Sequence, residues 1–304
     1  MTGWWKREAP AARPASPVAP AGDLPAGAAA SPAVARDWAG PLLRLAGLDA
    51  ALPPIPDDSE PIIAAARQAL KRFVTDPQRL PRRPQLLPQL LSTLNDADAS
   101  SRDIAEIIGR DPALAANLLK LANSALYRRH EAPVESLDRA VAMVGVDGLR
   151  HLVAVALMQP VMRVEGGVFG RLPDLIWDHT QRTALIAAQA VRSGGREDVF
   201  AAQLLALLQG LGAVVVVQVL RDACAATKGS LPPADVVAGL LHRWAPRVGQ
   251  AVAREWDLSA RLMQALDEQG AGDIAAMGSL ARGLALAAPQ ASGAMEAPPV
   301  ADAA

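Results

Sequence analysis

The chain has 304 residues, 51% hydrophobic but only 3% aromatic, so its core has to be built largely from Leu, Val, Ile and Ala on closely packed helices. Its 30 basic and 31 acidic residues leave a formal charge of −1, which excludes a global attraction to nucleic acid or anionic lipid but not a local basic patch. The single cysteine, Cys224, excludes an intrachain disulfide, and MTGWWKREAPAARP lacks the apolar region of a secretory signal, so a cytoplasmic protein is expected.

Residues 1–35 are mostly Ala, Pro, Gly and Ser. They bury too little apolar surface to offset the entropy of ordering, and the expectation is a disordered tail carrying Trp4 and Trp5. The same composition predicts disorder over 286–304. Residues 36–78 read as a helical N-terminal extension. Ser59 can cap a helix with Pro61 in its first turn, and Ile62, Ile63, Ala66, Leu70 and Phe73 recur at helical spacing. LPRRPQLLPQLL (80–91) predicts an extended segment running into a helix. Ser100 and Asp103 form a capping-box pattern ahead of Ile104, Ile107 and Ile108. Asp111 then caps ALAANLLKLANSALY, with Pro112 at its first position, and this helix is expected to reach about Tyr127.

Further helices are predicted at SLDRAVAMVG (136–145), at GLRHLVAVALMQP ending at Pro160, and over 173–193, 197–208, 211–226, 233–241, 244–256 and 259–269. No convincing period-2 strand is found, so the predicted class is all-α. Between Asp198 and Arg221 nothing is ionised, a length that would suit a membrane span. Gln203, Gln209 and Gln218 would cost free energy in hydrocarbon, and Gly210 and Gly212 interrupt the run. The expectation is two buried helices broken near Gly210–Gly212.

No motif of a catalytic nucleophile or nucleotide cradle stands out. His130, His151 and His242 make no ligand spacing and read as structural or surface residues; Cys224 reads as core packing. Ala105 and Gly109 are spaced as in a helix-turn-helix, which would place 112–124 in a DNA groove. That segment offers Lys120, Asn117 and Asn123 and otherwise mostly apolar side chains, and is expected to be covered nearly all round, so nucleic-acid binding is not expected.

Three stretches, LPRRPQLLPQLL, DPALAANLLKLANSALY and SLDRAVAMVGVDGLRHLV, resemble the N-terminal half of an HDOD domain, a bacterial signalling module related to HD phosphohydrolases. IWDHTQRTALIAAQAV, FAAQLLALLQGLGAVVVVQVL and VGQAVAREWDLSARLMQAL are similar to its second half. The resemblance covers roughly 80–270 and implies a two-lobed helical fold: an N-terminal lobe over 79–160 packed on an HD-like lobe over 161–285.

In catalytic relatives a histidine on one helix and a His-Asp pair on another hold the metals. His179 matches the first, but the pair falls on Gln209 and Gly210, and the further histidines would fall near Ala245 and at Glu268–Gln269. His242 lies three residues out of place. The resemblance therefore implies a degenerate HD motif, no metal, no cofactor and no catalysis, since such hydrolysis needs a metal to make hydroxide and polarise phosphate. It implies a signalling protein partner, with a nucleotide ligand as the second expectation. Asn123 and Ser124, His179 and Gln209 are the candidate cleft or interaction residues. A phosphohydrolase with rebuilt ligands and a nucleic-acid-binding adaptor are the alternatives; nothing fixes an oligomeric state.

Overall fold

The structure, a computed structural model, describes residues 37–48, 59–95, 100–127 except 125, scattered residues between 134 and 158, 165–192 except 166, 196–227 and 231–296. The expected tail over 1–35, with Trp4 and Trp5, lies outside the described residues, as do His130 and most of 136–145. The described residues form helices and turns with no strand among them, so the class is all-α. The chain divides into two compact units, one holding 83–161 and the other 31–82 with 162–304. The N-terminal extension thus belongs to the same unit as the HD-like region.

In the first unit, helices α3 (Leu87–Asn95), α4 (Ser101–Gly109) and α5 (Pro112–Ala122) follow one another, with α4 packed on both neighbours. α4 starts with a complete capping box: Ser100 Oγ accepts the Asp103 N–H, and the Asp103 carboxylate accepts the Ser100 N–H at 2.8 Å. Ile104, Ile107 and Ile108 form its buried stripe. Asp111 Oδ1 accepts the Ala113 and Leu114 N–H groups and starts α5.

α5 stops at Ala122, short of the expected Tyr127, because Asn123 turns its amide onto another segment. It is also not covered all round. Leu114, Leu118, Leu121 and Ala122 are buried, while Ala113, Ala116 and Lys120 are exposed. Residues 148–149 and 151–156 are helical and carry His151, which is buried and 2.7 Å from the Tyr127 hydroxyl. Burial pushes the His151 imidazole down to about 3, so it is a neutral core group.

The second unit holds α1 (Ala39–Leu45), α2 (Ser59–Thr75), α6 (Leu172–Ala190), α7 (Arg196–Thr227), α8 (Ala234–Glu255), α9 (Ala260–Ala271) and α10 (Ser279–Glu296). α7 is the axis. Its apolar stretch is long enough to cross a membrane, but 94% of the most apolar window is buried inside the structure, against α2, α6, α8, α9 and α10.

The expected break near Gly210–Gly212 does not exist: α7 runs unbroken through both. Each glycine costs about 1 kcal/mol of helix propensity relative to alanine, and here packing outweighs it. A Cβ on Gly212 would lie 2.0 Å from the Ala245 carbonyl oxygen, and one on Gly249 of α8 would lie 2.7 Å from the Leu208 carbonyl oxygen. The two helices approach backbone to backbone, each through a glycine of its own.

Two further expectations are corrected. The two helices expected over 233–241 and 244–256 are one helix, Ala234–Glu255, with Pro246 buried inside α8. The proline cannot donate to the His242 carbonyl, and the helix continues through it nonetheless. Residues 286–296 are not a disordered tail; they complete α10, with Ala287, Ala288, Ala291 and Ser292 buried. That buried face is made of small residues, so it carries little hydrophobic contrast in sequence but permits close packing on α6 and α7. The Trp256 indole N–H closes the other end of the unit, donating to the Pro81 carbonyl at 2.7 Å.

The glycine contacts predict opposite outcomes at two positions. Gly212→Ala should lower unfolding stability by about 1–3 kcal/mol through overpacking. Gly239→Ala, on an exposed face of α8 with nothing within 4 Å, should be neutral or stabilising by up to about 1 kcal/mol. Urea unfolding of both variants checks this.

Candidate functional site

His179 and Gln209 meet in the second unit. α6 presents Ile176, His179, Thr180 and Thr183, and α7 presents Ala206, Gln209, Gly210 and Ala213. Each set follows the i, i+3, i+4, i+7 spacing of one helix face. Leu284 of α10 and Trp38, at the start of α1, complete the lining. The space left is about 10 Å³, the size of a single water.

His179 is buried, and its Nε2 lies 2.9 Å from the Ala288 carbonyl oxygen, so Nε2 carries the proton and donates. This bond is long-range, reaching α10, rather than local. Thr183 Oγ1 lies 3.3 Å from the same nitrogen. Burial is the main cause that lowers the imidazole to about 4; the Ala288 bond opposes it and the Arg182 charge adds to it. His179 is therefore neutral at pH 7.

Position 210 is closed. A Cβ there would lie 2.1 Å from Thr180 Oγ1 and 2.8 Å from Thr180 Cβ, and that hydroxyl is already committed to the Ile176 carbonyl at 2.7 Å. No acid fits without moving Thr180. Gln209 is 7% exposed, and its Oε1 has no hydrogen-bond partner among the described residues. The remaining positions that would carry ligands in a catalytic relative are engaged elsewhere. Ala245 is packed against Gly212, the Glu268 carboxylate accepts the Gly278 N–H at 2.9 Å, and the Gln269 amide donates to the Ala281 carbonyl. Among the described residues no group of three His, Cys, Asp or Glu side chains is placed to hold a metal ion.

Two residues that the sequence did not single out dominate this site. The Trp38 indole stacks on His179, with ring centroids 5.2 Å apart and planes 18° apart. It also meets His242 edge-on at 5.3 Å. His242 Nε2 lies 2.9 Å from Asp37 Oδ1, and the same oxygen accepts the Ala39 and Gly40 N–H groups that begin α1. The His242 bond is the largest influence holding the Asp37 carboxyl below its usual range; partial burial opposes it, and the backbone N–H groups add to it. A signal for this was available in ARDWAGPLL: an Asp ahead of a Trp-Ala-Gly-Pro turn is a helix start.

Asn123 and Ser124 lie in the first unit and are described there by themselves. The Asn123 amide clamps the backbone of Val134, donating to its carbonyl at 2.8 Å and accepting its N–H at 2.7 Å, and also donates to the Leu119 carbonyl. Ser124 Oγ donates to the Leu121 carbonyl. Both sit at the end of α5, and Asn123 also ties residue 134 to it, a use of polar groups that needs no ligand.

The sequence model of the HDOD domain matches residues 80–271. The chain belongs to the HDOD family. That family is related to HD phosphohydrolases. Among solved structures, this HDOD protein is similar to an HDOD domain protein of unknown function from Geobacter sulfurreducens, at 23% identity and a TM-score of 0.54 over 76% of this chain and 77% of that one. It is also similar to a protein of Shewanella amazonensis SB2B provisionally named a phosphohydrolase, at 26% identity and a TM-score of 0.52 over 76% and 82% of the two chains. In sequence it is 24% identical over 185 residues to an uncharacterized protein of Treponema pallidum (strain Nichols), which covers 59% of this chain and 35% of that protein. The chain thus matches about a third of that relative's length.

Two predictions follow from the packing and protonation. Gly210→Ala should destabilise by about 1–3 kcal/mol, and Thr180→Ala should recover part of that loss in the double variant, because the clash is between those two side chains. A double-mutant cycle in urea measures the coupling; strict additivity would contradict it. The folded-state pKa of His179 lies below the unfolded value of 6.5, so on acidification the unfolded chain takes up the proton first. The stability contributed by the neutral imidazole is complete above pH 6.5 and is lost as pH falls toward 4, by on the order of 3 kcal/mol. His179→Gln should flatten the pH dependence of unfolding across that window.

Proposed function

We propose that this HDOD protein is a non-catalytic cytoplasmic signalling module that acts by binding a partner protein in bacterial signal transduction. The observation that carries this reading is the closure of position 210 by Thr180. In a catalytic relative that position holds the acid of the His-Asp pair; here its place is taken by a threonine methyl and hydroxyl. Gln209 offers a neutral amide in place of the imidazole. A hydroxide nucleophile at neutral pH requires a held metal, and one neutral imidazole bound to a carbonyl is a poor anchor for two ions. On this reading the HD-like fold survives as a rigid helical surface whose former centre has become core, and what remains to act is a surface.

The rival, a metal phosphohydrolase with rebuilt ligands, predicts a different outcome in one experiment. Protein incubated with manganese, iron(II) or zinc and then desalted should retain well under one metal per chain and should not hydrolyse a generic phosphodiester above the protein-free rate. Retention of one or two ions per chain, lost in His179→Ala, would establish the rival.

A further inference from the structure

We propose that the outward face of α8 is where the partner docks, and that it receives a net-acidic helical segment carrying one lysine or arginine among its carboxylates. This deepens the signalling reading above and rests on it, since it names the surface and the chemistry of the partner.

The face is a row of cations. Arg243, Arg247 and Arg254 follow one another at steps of four and seven residues, so with Gln250 they fall within about 60° of the α8 circumference. All three arginines are exposed, and none is ion-paired among the described residues. Elsewhere in the unit, Arg221 is paired with Asp222 and Arg261 with Asp198. The two acids of α8, Asp235 and Glu255, lie roughly 90–110° away around the helix and do not neutralise the row. Arg247 is also held in place: its guanidinium lies 5.5 Å from the centre of the ring of Trp244, which is buried. A cation already seated on an aromatic face loses less freedom on binding.

Beside the row, where α9 packs on α8, an open cleft of about 230 Å³ is lined by Arg247, Gln250, Leu266, Asp267, Gly270 and Ala271. Gln250 donates its amide N–H to the Met263 carbonyl at 3.1 Å, which fixes the amide and leaves its oxygen as an acceptor. Asp267 is exposed and has no partner among the described residues. Gly270 leaves its wall of the cleft open, since a Cβ there would meet nothing within 4 Å. The cleft therefore offers a cation on the α8 side, a carboxylate on the α9 side, and room for one long polar side chain.

This charge pattern selects the class of partner. Duplex DNA carries one charge per about 1.7 Å of its axis and is held through many phosphate contacts. Here three cations are spread over about 16 Å, and the Asp267 carboxylate beside them repels a polyanion. A protein segment can alternate its charges. Glutamates four and then seven residues apart on a helix lying along α8 repeat the spacing of the arginines, and arginine forks suit carboxylates. A lysine or arginine on the same segment enters the cleft and meets Asp267 and the Gln250 amide oxygen.

The test uses the full-length chain and a fluorescent alanine-based helical peptide, with three glutamates at those spacings and one lysine, followed by anisotropy at low salt. Arg243→Glu/Arg247→Glu/Arg254→Glu should lower its affinity at least tenfold. Arg67→Glu/Lys71→Glu/Arg72→Glu, which reverses three exposed and equally unpaired cations on α2, should leave it within about twofold. Asp267→Asn should weaken the peptide at least threefold, but not a peptide with alanine in place of its lysine. Equal losses in the α2 and α8 variants would reduce the binding to unspecific charge and overturn the proposal. So would absence of binding to wild type, or an Asp267→Asn effect indifferent to the lysine. Single-stranded DNA that binds as tightly as the peptide, and is lost in the α8 variant, would give the face to nucleic acid and overturn it as well. Every substituted side chain is exposed, so the variants should keep the helical circular dichroism of wild type. Failure here leaves the non-catalytic reading standing, because that reading is decided by the metal and hydrolysis assay.

Discussion

The second unit is organised by one constraint: α7 carries no ionised residue between Asp198 and Arg221 and must be covered on every side. Cover of that extent needs many helices, and α2, α6, α8, α9 and α10 all contribute. It also needs them close. Gly212 and Gly249 let α7 and α8 meet backbone to backbone, and Gly210 lets the Thr180 side chain lie against the α7 axis. The packing that makes the core is the same packing that fills the space around His179 and position 210.

This gives the chemistry of the site a simple physical form. A metal centre needs polar side chains converging on a space from which water and backbone have been cleared. Here the polar groups are bonded elsewhere: His179 to the Ala288 carbonyl, Glu268 to the Gly278 N–H, Gln269 to the Ala281 carbonyl, and His242 to Asp37. The indole of Trp38 fills the space between the two imidazoles. At this site Gln209 Oε1 has no partner among the described residues. Both imidazoles contact the Trp38 ring.

Local signals in the sequence were reliable wherever they were local in the structure. The Ser100–Asp103 box and the Asp111–Pro112 start both stand in the structure as their residues imply. The readings that failed at Gly210, Gly212 and the end of α10 depended on distant partners. Gly210 and Gly212 look like breakers until the Thr180 and Ala245 atoms that need their missing Cβ groups are in view. The end of α10 looks like a tail because its buried face is Ala287, Ala288, Ala291 and Ser292, small residues whose contribution is proximity rather than hydrophobic area. For the site, His179 and Gln209 were legible through the resemblance. Asp37 and Trp38 were not, because their partner His242 lies 205 residues away and no periodic pattern connects them.

The claim beneath all of this is that packing has replaced coordination around His179. Diffraction from crystals grown in manganese, recorded where manganese scatters anomalously, tests it most directly. The account predicts no anomalous peak within bonding distance of His179 or Gln209, with Thr180 seated against Gly210 and the Trp38 ring on His179. A strong peak about 2.0–2.3 Å from His179, with Thr180 or Trp38 displaced to admit it, would contradict it.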